Sequence, residues 1–228
     1  MNAVELFQQG GPVMAVLLAL SVLAVTIILL KLFQFYRSGL FGIGRLQFVE
    51  PVLISLKQGD TQTALSQLEH LPNPVAQVMS RAIHCGADPT MSSKDVEAEI
   101  SRIGSSHIRN LESWLRGLSS IAHLSPLLGL LGTVTGMIIA FMSLEASGAK
   151  VDPSILSGGI WEALLTTAFG LTVAIPAMAA FYYLEGEVDQ VRASMKDVSI
   201  RVLRHFGKSP SHVSNCDDEK IEDGTHGI

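Results

Sequence analysis

Three long apolar stretches dominate the chain: residues 13–30, without a single charge, then 124–144 and 160–184, which sit close together far downstream. A hydrocarbon layer about 30 Å thick needs about 20 helical residues to cross it, so each stretch predicts one membrane span. The two later stretches share a finer pattern. In the first, Gly129, Thr133, Gly136, Ala140 and Ser143 follow one another at steps of four, three, four and three, and in the second Ala163, Thr167, Gly170, Ala174 and Ala177 do the same. Residues three or four apart lie almost above one another on a helix, so each predicted helix carries a narrow seam of small side chains with a threonine in it. Gly132 and Gly136 add a small-xxx-small pair, the spacing that lets membrane helices approach closely.

Between the first and second spans the apolar residues return at helical spacing. Val96, Ile100, Ile103, His107, Leu111, Trp114, Leu118 and Ile121 recur mostly at threes and fours, which predicts an amphipathic helix running into span two without a clear stop. Val188, Val191, Met195, Val198, Val202 and Phe206 continue span three in the same way. Asp60 and Thr61 can open a helix towards His70, Pro72 and Pro74 interrupt the chain, and residues 86–89, Gly-Ala-Asp-Pro, interrupt it again. No stretch alternates at period two long enough to make a sheet. The predicted fold is all-α: a polytopic membrane protein with three transmembrane helices, the second and third extending into the cytoplasm, and ring-forming. Its expected parts are a periplasmic lead (1–12), span one (13–35), a cytoplasmic helical domain (36–120), span two (121–144), a periplasmic hairpin (145–159), span three (160–184), a cytoplasmic helix (185–207) and a disordered acidic tail (208–228).

Composition agrees with membrane insertion. Hydrophobic residues make up 48% of the 228 and charged residues only 16%, against about a quarter charged in soluble domains. The first span is expected to stay in the mature protein, because no basic residue precedes it and its apolar run exceeds the roughly 7–15 residues of a signal sequence. Orientation follows from Lys and Arg. Lys31, Arg37 and Arg45 follow span one, Arg109 and Arg116 precede span two, and Arg192, Lys196, Arg201 and Arg204 follow span three, whereas the second connection has only Lys150. By the positive-inside rule the N-terminus is periplasmic and the C-terminus cytoplasmic. Cys85 and Cys216, the two cysteines, both fall on the cytosolic side and imply no disulfide. The net charge of −5, with no basic stripe, excludes nucleic acid as a partner.

Candidate chemistry is sparse. The seven histidines are scattered away from metal-ligand spacing and no Walker-type loop is present, so neither an enzyme, a metal site nor a cofactor is expected. Two seams, each with a threonine at its second position, can either pack helices or line a narrow passage through Thr133 and Thr167. If they face a shared axis they cannot be satisfied within one three-span subunit, which predicts a ring. Glu162 is the one acid within the predicted spans; it lies near the outer hairpin and shares a helical face with Thr166 and not with Thr167. A proton path ordinarily needs a titratable group at the midplane. This chain supplies none there, so a partner must bring the carboxylate.

At these residues the sequence resembles the MotA/TolQ/ExbB proton channel family, most closely its three-span ExbB/TolQ branch. The resemblance is carried by Ser-Pro-Leu-Leu-Gly-Leu-Leu-Gly-Thr-Val-Thr-Gly-Met at 125–137, by Gly-Ile-Trp-Glu-Ala-Leu-Leu-Thr-Thr-Ala-Phe-Gly-Leu at 159–171 and by Ala-Ile-Pro-Ala at 174–177. It implies an inner-membrane homopentamer around a dimeric, single-span ExbD/TolR-like partner whose membrane aspartate carries protons, with a TonB- or TolA-like energy transducer downstream. It also implies that Thr133, Thr167 and Glu162 line the proton pathway. The rival readings are a self-sufficient ion channel and a passive scaffold for envelope proteins.

Overall fold

The computed structural model describes residues 11–40, 46–146 and 153–208. The expected lead up to residue 10, part of the expected hairpin (147–152) and the acidic tail from 209 onwards lie outside them. Among the described residues seven helices follow in order: α1 (Gly11–Arg37), α2 (Val49–Lys57), α3 (Thr61–Glu69), α4 (Pro74–Ala87), α5 (Ser93–Glu112), α6 (Leu115–Ala146) and α7 (Pro153–His205). No strand occurs among the described residues. Helices α1, α6 and α7 are long and apolar enough to cross a membrane. The chain divides into two compact units, one of residues 1–32 and 113–185, the other of residues 33–112 and 186–228.

The first unit holds the three membrane-length segments. On α1, Met14, Leu17, Ala24, Ile27 and Lys31 are buried along one face, while Val22, Val25, Leu29 and Leu30 remain largely exposed. Such an outward apolar surface suits lipid, in which a leucine loses nothing by exposure. Lys31 is 2% exposed and donates from Nζ to Ser113 Oγ at 3.3 Å. Both Pro126 and Pro176 are accommodated inside continuous helices.

The expected unbroken helix from Val96 into span two is corrected here. It divides at Ser113 and Trp114, where Trp114 takes φ +67, the one positive φ at a non-glycine residue among those described. The amphipathic stripe therefore lapses at Trp114, whose ring is 70% exposed, although Leu111 before it and Leu118 and Ile121 after it are buried. Span three behaves differently: α7 runs for 53 residues without interruption, about 80 Å at 1.5 Å per residue, far beyond a bilayer.

In the second unit α2 packs on α3, α3 on α4 and α4 on α5. Their shared core includes Val52, Leu56, Leu68, Met79, Ile83 and Val96, and the α7 stripe from Val188 to Val202 is buried as well. Asp60 caps α3 by accepting from Thr63 N at 2.9 Å, and Asn73 caps α4 by accepting from Val75 N at 2.9 Å, each satisfying an otherwise orphan donor. Helix α7 ends at Gly207 (φ +69), where Lys208 N donates to Leu203 O and Gly207 N to Arg204 O, a left-handed stop that glycine adopts without strain. The Phe206 ring then fills the space where Gly86 has no side chain, and Lys208 Nζ donates to Cys85 O and Asp88 O. Among the surface ion pairs, Glu99 accepts from both Arg81 (3.1 Å) and Arg102 (2.8 Å), and their hydrogen bonds hold its carboxyl down at about 2.

Candidate functional site

The two seams meet each other. Helices α6 and α7 lie antiparallel with their small residues in register, so that a methyl group added to Gly129 would come within 3.0 Å of Thr167 Cα and 3.4 Å of Gly170 Cα. One on Gly136 would meet Ala163 Cβ at 3.1 Å, and one on Gly170 would strike Ser125 O at 2.7 Å and Gly129 Cα at 3.1 Å. Towards the outer end Gly159 faces Ala140 Cβ, where an added carbon would lie at 2.4 Å. Backbones approach this closely only where side chains are absent, which is why glycine and alanine recur on both helices. Ala140, Ala163 and Ala174 are all buried.

This arrangement corrects one step of the sequence argument. Because the seams are satisfied against each other within one subunit, unsatisfied seams give no reason for a ring. A ring rests instead on the family resemblance.

The threonines divide their roles. Thr167 is half-buried and donates from Oγ1 to Gly129 O of α6 at 2.9 Å, a bond across the helix interface. Thr133, also half-buried, donates to Leu130 O of its own helix at 2.7 Å. No hydrogen bond joins the two. The seam residue that the sequence missed is Thr166: it is 3% exposed, donates to Ala163 O at 2.7 Å, and sits directly over Gly132, where an added methyl would fall 2.5 Å from its Oγ1. Ser125, fully buried and donating to Ile121 O at 2.7 Å, was missed too. Glu162 is half-exposed one turn before Thr166 and has no ion pair among the described residues. No group of His, Cys, Asp and Glu that could hold a metal occurs among the described residues.

A chain with three membrane-length helices, two of them closed along a glycine and threonine seam, is a multi-pass helical membrane protein. More narrowly, it belongs to the MotA/TolQ/ExbB proton channel family, whose model matches residues 69–197. It is 30% identical to a biopolymer transport protein ExbB homolog of Methanothermobacter thermautotrophicus over 220 residues, 95% of this chain and 75% of that one. It is 42% identical over 84 residues to biopolymer transport protein exbB1 of Vibrio cholerae, 37% of each chain. With the Tol-Pal system protein TolQ of Haemophilus influenzae it shares 39% identity over 109 residues, 45% of this chain and 47% of that one.

Proposed function

We propose that the chain is the stator subunit of an inner-membrane, proton-driven motor that converts the proton motive force into mechanical work on the cell envelope, and is not an enzyme. Spans 13–35, 121–144 and 160–184 cross the membrane with the N-terminus periplasmic and the C-terminus cytoplasmic. Five copies surround a dimer of single-span ExbD/TolR-like subunits, and a TonB- or TolA-like transducer receives the work. The observation that carries this reading is a proton-channel family member whose second and third spans contain one acid, Glu162, close to the outer end of α7. A carboxylate that carries protons past the midplane then belongs to another chain.

Thr133, Thr167 and Glu162 are assigned to the pathway, and Gly129, Gly132, Gly136, Ala140, Ala163, Gly170 and Ala174 to the packing that holds it. The Thr167 hydroxyl is bonded to a carbonyl of the neighbouring helix, so in this role it acts as a fixed polar point between two backbones. Replacing threonine by valine keeps shape while removing the hydroxyl. The experiment is co-purification of Thr133→Val, Thr167→Val and the double variant with the single-span partner, alongside a proton-uptake assay. The motor reading expects intact complexes with lost uptake; full uptake by the double variant would place the scaffold reading ahead.

A further inference from the structure

The last turns of α7 run beside α2, and the two helices leave a hollow between them. Glu50, Leu53, Leu56 and Lys57 of α2, with Arg201, Arg204 and His205 of α7, line a cavity of about 320 Å³. Its floor is apolar, because Leu53 and Leu56 are buried there. Its rim is basic. Positions 50, 53 and 57 fall on one face of α2 and positions 201, 204 and 205 on one face of α7, so helical spacing alone gathers these side chains. Glu50, the one acid of the rim, accepts from Arg201 at 3.0 Å, and Asp197 takes the same guanidinium at 2.9 Å. Lys57 and Arg204 are exposed and have no carboxylate partner among the described residues. Two uncompensated cations thus stand over an apolar floor.

The bland explanation is the helix dipole, whose negative end favours cations in the last turn. Lys57 closes α2, and Arg204 and His205 lie in the last turn of α7. The end carbonyls, however, already accept from backbone donors. Ile54 O, Ser55 O and Leu56 O are taken by Gln58, Asp60 and Gly59, and Leu203 O and Arg204 O by Lys208 and Gly207. The dipole accounts for the sign of the charges. It does not account for an apolar-floored hollow between two basic rims.

Such a hollow suits an anionic segment with an apolar residue inside it, and the chain itself holds one. Residues 217–223 read Asp-Asp-Glu-Lys-Ile-Glu-Asp, five acids against one lysine, with Ile221 among them. They begin nine residues after Lys208, whose Nζ is held by Cys85 O and Asp88 O. Nine residues span at most about 30 Å, and Arg204 lies only about 6 Å back along the helix axis from Lys208. We infer that residues 217–223 dock in the cleft between α2 and the last turns of α7 of the same chain. Ile221 lies against Leu53 and Leu56, and the flanking carboxylates meet Lys57 and Arg204. So short a tether sets an effective concentration in the millimolar range, which populates a contact too weak to hold separate molecules together. The docked segment neutralises the cleft and keeps soluble polyanions out of it. The inference rests on neither the ring nor the motor, since the cleft lies wholly within the second compact unit.

The test is zero-length carbodiimide coupling on the full chain in nanodiscs, with the joined peptides identified by mass spectrometry. The reagent links a lysine amine only to a carboxylate it touches, and Lys94, exposed on α5, serves as the reference amine. The inference expects residues 217–223 to link to Lys57 about fivefold or more over Lys94. That excess should vanish at about 1 M salt, where the Debye length is about 3 Å. Arg204→Gln, at an exposed position, should lower the Lys57 link severalfold while leaving Lys57 itself in place. Equal linking to Lys57 and Lys94, or a Lys57 link indifferent to salt and to Arg204→Gln, is random collision and overturns the docking. A link found only between copies carrying different isotopes assigns the segment to a neighbouring copy and overturns it too. So does a Lys57 link to a co-purified acidic protein in place of the segment.

Discussion

Adding a single methyl group at Gly170 is the most telling perturbation of the α6 and α7 interface. The new carbon would lie 2.7 Å from Ser125 O and 3.1 Å from Gly129 Cα. Both are backbone atoms of the facing helix, so no rotamer change can make room and the helices must separate. Overpacking of a tight interface costs about 1–3 kcal/mol. Separation also stretches the Thr167 Oγ1 to Gly129 O bond, and a hydroxyl bond between membrane helices contributes about 0.6 kcal/mol. Gly132→Ala would meet Thr166 Oγ1 at 2.5 Å and its backbone-fixed Cβ at 2.8 Å, and Thr166→Ala, which removes the Oγ1 contact and leaves the Cβ one, should rescue it only in part. Gly104 in α5, where nothing lies within 4 Å of an added methyl, supplies the opposite sign: glycine to alanine in an open helix stabilises by about 0.5–1 kcal/mol. Unfolding titrations of the three purified variants in mixed micelles should rank Gly170→Ala least stable and Gly104→Ala most stable. Equal stability of Gly170→Ala and Gly104→Ala would refute the direct seam-on-seam contact.

Two further outcomes are expected. Cysteine labelling from outside intact cells should modify a cysteine at position 148 and spare one at position 59, and labelling at 59 contradicts the periplasmic N-terminus. Glu99 is held from its ordinary 4.5 down to about 2 by its hydrogen bonds to Arg102 and Arg81, so the unfolded state takes up its proton first as pH falls. The stability it contributes is complete above about 4.5 and disappears between there and about 2. Thermal midpoints of the wild type measured from pH 6 to pH 3 should fall more steeply than those of Glu99→Gln, and parallel slopes would exclude this pair as the cause.

The all-helical layout was legible because its signals are periodic: charge-free runs of spanning length, and small residues every third or fourth place. The same periodicity explains what was misread. From Ala163 a step of three reaches Thr166 and a step of four reaches Thr167, and spacing alone does not choose between them. Both lie on the seam, Thr166 over Gly132 and Thr167 against Gly129, and it is the facing glycines that show this. The break at Trp114 was invisible for a different reason. Helices usually stop on a left-handed glycine or asparagine, as α7 does at Gly207, whereas a tryptophan in that conformation gives no sequence signal and fits the apolar period as if the helix continued. Helix α2, nine residues long, was missed as a separate element between the stronger signals of span one and Asp60. The two seams were visible, but that they close on each other within one subunit was not, because each is equally suited to a partner in the same chain or in another.

The central claim is that this chain conducts protons only with a carboxylate supplied by its partner. It is tested most directly by proton uptake into liposomes under an imposed potential, comparing this chain alone, the chain with its single-span partner, and the same complex with the partner's membrane aspartate changed to asparagine. Uptake by the native complex alone is the predicted result. Uptake by this chain without a partner, or undiminished uptake with the asparagine variant, would contradict the account and favour a self-sufficient channel.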